Sequence, residues 1–307
     1  VLAGFEKALQ RRFWNEAMTA IHALLNGLID YAGLFPPASL DMKTAVRNYA
    51  EYRAGDHAWM LGRFIVPTQK LNEFSTAFAE ACCDEQVSPW LLSVLSSGDP
   101  DEDARLIEPF REGAVFLDAI EFKAADAAQV AQQLGSVPQG MAAYVEFQPQ
   151  QGNEILPELK KAGARAKVRT GGTTADAIPG IEELAGFLTA CAKAKVPFKA
   201  TAGLHHPLRS VQKLTYEEGS ATAMMHGFIN VFAAAVAAYQ GVPESDVVQM
   251  LAETSPTAFQ WEEKALTWRT YRFTTRQIKA AREKFAIGFG SCSFTEPVND
   301  LKALGWL

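Results

Sequence analysis

ARAKVRTGG at residues 164–172 and VPFKATAG at residues 196–203 decide how the chain is read. Each is a short, mostly apolar run that carries polar side chains two positions apart and stops at glycine. Side chains alternate across a strand, so Lys167 and Arg169 share one face of the first run, and Lys199 and Thr201 share one face of the second. Between them lies IEELAGFLTACAKAK, a stretch of helix formers that Pro179 is expected to open, in the first-turn position where proline is tolerated. Strand, helix, strand in this order is a βα repeat.

The pattern extends upstream. AVFLDAIEF at 114–122 leads to Glu121 and Lys123 on one face, and MAAYVEFQ at 141–148 holds Glu146 and Gln148 on one face. WLLSVLSSG (90–98), MLGRFIVP (60–67) and LIDYAG (28–33) complete seven strand-like runs, which begin about 28 residues apart on average, as βα units do. Helix-forming stretches precede or separate them at roughly 4–25, 41–52, 69–83, 99–110, 124–135 and 154–162. Strands this apolar belong to a sheet covered on both faces. The expectation is a (β/α)8 TIM barrel forming a single domain over 1–307, with a doubly wound open sheet as the competing fold. FAIGFGSCSFTEP (285–297) is the preferred eighth strand. GFINVF (227–232) runs into an Ala-rich stretch that reads as a buried helix. This choice places an insertion at 204–284 between strands seven and eight, with two or three helices and a hairpin or small lobe at 259–273. VNDLKALGWL then supplies the closing helix.

Composition narrows the classes of function. With 48% apolar and 21% charged residues, the chain is neither disordered nor a coiled-coil rod. A net charge of −6 without a Lys/Arg cluster argues against nucleic acid as a partner. No charge-free apolar run of about 18 residues suggests a membrane span, and VLAGFEKALQRRFWNEA lacks the pattern of a signal peptide. Cys82, Cys83, Cys191 and Cys292 show neither a disulfide framework nor a zinc spacing. The expected setting is cytoplasmic and the expected partner a small anionic metabolite. Whether copies associate into a homo-oligomer is left open.

Barrels carry their chemistry at the carboxyl ends of the strands. There this sequence puts Asp30, Arg63, Glu121, Glu146, Lys167, Arg169, Lys199 and Thr201. Charge buried without a partner is very unfavourable. Four consecutive strands that break the apolar rule together therefore mark a site; the competing reading turns them outward to salt-bridge the helices. Gly171, Gly172, Gly203, Ser291 and Ser293 lie in strand-end loops whose backbone N–H groups could hold a phosphate or carboxylate. His205 and His206 follow strand seven, and at least one is expected to reach the site. His226 reads as a packing residue, and Cys292 has no visible base to make it a nucleophile.

Three functions compete. In the first, a lyase of the aldolase type uses a Schiff-base lysine on a small phosphorylated or carboxylated carbonyl compound and needs no cofactor. Lys199 is the preferred nucleophile, Lys167 tunes it, Glu121 or Glu146 moves protons, and Arg169 holds the anionic group. In the second, Glu121, Glu146, His205 and His206 hold a divalent metal that stabilises an enolate in a lyase or isomerase. In the third, a non-catalytic barrel grips an anion with Arg63, Lys167, Arg169 and Lys199.

KVRTGG at 167–172 and KATAGL at 199–204 resemble the strand ends of deoxyribose-phosphate aldolase-type class I aldolases, which carry Lys-x-Ser/Thr-x-Gly and Lys-Ala-Ser-Gly-Gly patterns. The resemblance implies a lyase in which Lys167 is the nucleophile and Lys199 activates it, the reverse of the site-based preference. It covers about a dozen residues, and it departs from the pattern where Arg169 replaces a small residue and Ala202 replaces a glycine. FKATAGLHHP, DYAGLFPP and FGSCSFTEP are similar to an uncharacterised bacterial α/β-barrel family.

Overall fold

A computed structural model describes residues 18–81, 89–110 and 114–307. Eight parallel strands close into a barrel: β1 (Ile29–Tyr31), β2 (Leu61–Pro67), β3 (Trp90–Leu95), β4 (Val115–Lys123), β5 (Ala142–Glu146), β6 (Arg165–Arg169), β7 (Phe198–Thr201) and, last in the chain, Ala286–Ser291. That last strand pairs with β7 on one side and β1 on the other, and β1 pairs with β2, so no edge remains. Closure excludes the open doubly wound sheet. The eighth strand is the one at 285–297, and GFINVF lies instead in the helix Phe228–Tyr239.

The helices begin where the sequence supplies caps. Asp41, Asp99 and Asp126 each accept a backbone N–H of the following first turn. The helix Gly152–Ala162 stops at Gly163, which adopts the left-handed conformation that glycine tolerates. Two boundaries differ from expectation. The helix after β6 spans Ile181–Ala194 with Gly180 as its cap, so Pro179 stands outside it, and its carbonyl meets His226 Nε2 at 2.8 Å. The first described helix, Ala20–Leu25, begins at an extended Thr19 cap inside the 4–25 run, and residues 1–17 lie outside the described residues. So does the Cys82–Cys83 pair read as packing.

Between β7 and the eighth strand the chain forms a hairpin, β8 (Ser210–Lys213) with β9 (Thr222–Met225), which the sequence did not signal. The helices Phe228–Tyr239 and Glu244–Ala252 follow. Then comes an antiparallel sheet of β10 (Phe259–Trp261), β11 (Ala265–Trp268) and β12 (Tyr271–Thr274), where a hairpin or lobe is expected. The helix Thr275–Lys284 leads into the eighth strand, β13. Phe228 and Phe232 pack on Phe289 of β13 at ring distances of 5.5 and 5.7 Å, which ties this segment to the barrel wall.

Glycines set how closely β6 and β7 converge at their carboxyl ends. A Cβ on Gly171 would stand 2.8 Å from the Gly203 Cα, and Gly203 has φ of +77°. Gly171→Ala is therefore expected to lower stability by about 1–3 kcal/mol, as overpacking does. Gly186→Ala, inside a helix with open space around it, should raise stability by about 0.5–1 kcal/mol. Urea denaturation of the two variants checks both signs.

Candidate active site

Strand parity carries the inward residues upward in layers. On β6, Arg165, Lys167 and Arg169 point into the barrel in succession, and β5 contributes Tyr144 and Glu146. Register aligns Glu146 with Lys167, and Lys167 with Lys199. The outward-facing alternative is excluded, because these groups contact one another across the barrel.

Lys199 is the most deeply enclosed, at 1% exposure. Its ammonium donates to Asp30 Oδ2 at 2.6 Å and to Glu121 Oε1 at 2.7 Å, and it lies 5.3 Å from the centre of the Tyr144 ring. Asp30 is fixed in turn, because its Oδ1 accepts the Arg63 backbone N–H at 2.7 Å. Gly62 makes that reach possible: a Cβ there would collide with Asp30 Oδ1. Glu121 also accepts the Ser93 hydroxyl at 2.6 Å, while its other oxygen lies 2.9 Å from Lys167 Nζ. Lys167 continues the chain to Glu146 Oε2 at 2.9 Å, a charge contact without an aligned hydrogen bond. Arg169 ends it, with Nε 3.2 Å from Glu146 Oε1. Three carboxylates thus alternate with three cations from the sealed interior to the open end.

The chain of charges governs ionisation. Burial alone would raise the Glu121 carboxyl, but Lys167 and Lys199 outweigh it and hold it well below the usual range. Glu146 is lowered too, with burial opposed by Lys167 and Arg169. Burial would favour a neutral Lys199, yet Asp30 and Glu121 reverse this and raise its pKa. A neutral amine at rest, which a nucleophile needs, is therefore disfavoured at Lys199.

A cavity of about 520 Å³ opens above this layer at the carboxyl ends of the strands. Lys167, Glu121, Glu146, Arg169, Thr201, Gly172 and His205 border it. Lys199 and Asp30 do not: the Lys199 amine lies beneath the floor, between Asp30 and Glu121. Arg63 does not border the cavity either. Its guanidinium is spent on Asp118, with Nε to Oδ1 at 2.7 Å and the second contact at 2.6 Å. Gly171 packs against Gly203, and Gly203 and His206 border only a smaller adjoining cavity. Ser291 and Ser293 border neither and hydrogen-bond locally, to the Ser293 and Glu296 backbone N–H groups respectively.

The metal alternative finds no matching geometry. Among the described residues, no three His, Cys, Asp or Glu side chains gather as a metal-holding set. Lysine ammoniums occupy the spaces between the carboxylates, and the two histidines turn to Glu296 and Asp300 at 3.0 and 2.6 Å. His226 is buried against Pro179, as a packing residue is. Among the described residues no helix is long and apolar enough to cross a membrane.

Ser93, Asp118, Tyr144, Tyr216 and Glu296 escaped the sequence reading. Tyr144 shares parity with Glu146 and could have been found by stepping back two positions along β5. No family model matches the chain, and no curated protein matches it.

Removing one partner of a buried charge pair strands the other. Lys199→Met is expected to cost about 3–5 kcal/mol in urea denaturation, because Asp30 and Glu121 lose their shared cation. The pH dependence follows from the two lowered carboxyls. The unfolded chain takes up protons first as pH falls, so the stability Glu121 and Glu146 contribute is complete above the ordinary carboxylate range. Thermal midpoints should decline as the solution is acidified below about pH 4.

Proposed function

We propose that the protein is a lyase of the aldolase type, acting on a small carboxylated or phosphorylated carbonyl compound through a Schiff base on Lys167. The observation that carries this reading is the position of Lys167 at the boundary between the sealed charge chain and the cavity. A carbonyl carbon entering from above meets its amine, while Lys199 below is shielded by Asp30 and Glu121. The same assignment follows from the resemblance of KVRTGG to aldolase strand ends.

The charge balance suits the chemistry. A lysine ammonium and a carbonyl condense to a protonated imine and water, so the cation between Glu121 and Glu146 is conserved. Both carboxylates that stabilise the ammonium also stabilise the iminium. The amine must pass through its neutral form to attack, and Glu146, 2.9 Å from Nζ, is placed to take that proton and return it when water leaves. The iminium then acts as an electron sink for cleavage of an adjacent carbon–carbon bond. Arg169 contacts Glu146 on one side and leaves nearly half of its side chain exposed, so it would hold the anionic group of the ligand.

An anion-binding barrel without turnover is the competing reading, favoured by the part-exposed Arg169 guanidinium at the cavity. Borohydride reduction with pyruvate or dihydroxyacetone phosphate separates the two. The expected outcome is a stable adduct mapping to the Lys167 peptide, abolished in Lys167→Met. An adduct on Lys199 would move the nucleophile, and no adduct with any carbonyl probe would favour the binding barrel.

A further inference from the structure

His205 borders both the main cavity and the smaller one beside it, whereas His206 borders only the smaller. Its Nδ1 lies 3.0 Å from Oε2 of Glu296, in the first turn of the helix Thr295–Ala303. The same oxygen accepts the Tyr216 hydroxyl at 2.8 Å. Tyr216 comes from the turn between β8 and β9, so three stretches distant in sequence meet at one carboxylate.

This meeting selects the tautomer of the neutral imidazole. Burial would raise the Glu296 carboxyl, but the bonds from His205 and Tyr216 outweigh it and hold it below the ordinary range. An ionised carboxylate only accepts, so Nδ1 must donate, and the neutral ring carries its proton there. In that neutral ring Nε2 carries the lone pair. No described residue hydrogen-bonds Nε2, and His205 borders the cavity that Lys167 shares. An imidazole held in one tautomer by a carboxylate, with its other nitrogen unbonded and the residue at the wall of a ligand space, suits general base catalysis. Cys292 also borders the cavity; burial pushes its thiol up, and its side-chain contact is with the Tyr216 hydroxyl, not with His205.

We propose that His205 transfers the proton on the carbon next to the ligand carbonyl, with Glu296 as its positioning residue and Tyr216 fastening Glu296. The proposal takes its ligand class from the Schiff-base reading. In the step, the C–H bond next to the iminium breaks, its electron pair forms the C=C bond, and the imine π pair moves to nitrogen. The iminium becomes a neutral enamine, and the proton moves to His205 Nε2. The imidazolium so formed lies against the Glu296 carboxylate. Reversal with a solvent-derived proton exchanges the hydrogens on that carbon with water. Enolisation of the free carbonyl would exchange the same hydrogens, with the electron pair moving to oxygen instead.

The test uses the full chain in D2O with pyruvate and, separately, dihydroxyacetone phosphate. Deuteration next to the carbonyl is followed by NMR, and adduct yield by borohydride trapping. The expected result is that His205→Gln slows exchange about a hundredfold or more while adduct yield stays at the native level. Added imidazole should restore exchange in His205→Ala, a response a purely structural histidine does not give. Glu296→Gln should slow exchange at least about tenfold with unchanged adduct, and Glu296→Asp should recover part of it. Native exchange in His205→Gln overturns the proposal. Exchange and adduct lost together, without imidazole rescue, also overturns it. Exchange that depends on His205 but without any adduct sustains the proposal and removes the Schiff base. Neither exchange nor adduct in the native protein removes both.

Discussion

Charge enclosed by a closed barrel must be met by charge, because no water shell is there to replace a missing partner. In this protein the requirement is met by a linear alternation. Asp30, Lys199, Glu121, Lys167, Glu146 and Arg169 follow one another from the interior to the mouth, each within 3.2 Å of the next. Glu121 is the joint of this chain. One of its oxygens takes Lys199 and Ser93, the other faces Lys167. The backbone is shaped around it: Gly62 clears space for Asp30, and Gly171 and Gly203 bring β6 and β7 together at the rim.

The alternation also grades the lysines by access. Identical side chains on neighbouring strands, aligned in register, end in different situations because one is capped by two hydrogen-bonded carboxylates and the other borders the cavity. Two lysine side chains on one end of a barrel thus divide into a fixed cation and a candidate reactive amine. A second group meets the cavity through His205, which Glu296 of the last helix and Tyr216 of the β8–β9 turn hold in place. Lys167, Arg169, Glu121, Glu146 and His205 all border this one cavity.

The barrel was legible because each βα unit announces itself locally. Period-two apolar runs, aspartate caps and closing glycines all act within a few residues. The inward cluster was legible for the same reason: Lys167 and Arg169 two apart on a strand need only parity to share a face. Depth along the axis was not legible. Arg63 and Lys199 read as mouth residues, but whether a side chain ends above or below its neighbours depends on register across strands and on irregularities such as the shift between Leu92 and Ser93. Asp118, which engages Arg63, lies beside that irregularity on β4. Tyr216 and Glu296 were invisible because their meeting with His205 depends on how a hairpin and the last helix dock, which no local pattern encodes. Pro179 misled for a smaller reason: proline tolerates the first turn of a helix and the residue before the cap alike.

Neutron diffraction on deuterated crystals tests the charge chain most directly. The account predicts three deuterons on each of the Lys167 and Lys199 nitrogens, none on Asp30, Glu121 or Glu146, and Lys199 seated between Asp30 and Glu121. A deuteron on any of those carboxylates, or a Lys199 side chain directed away from Glu121, would contradict it.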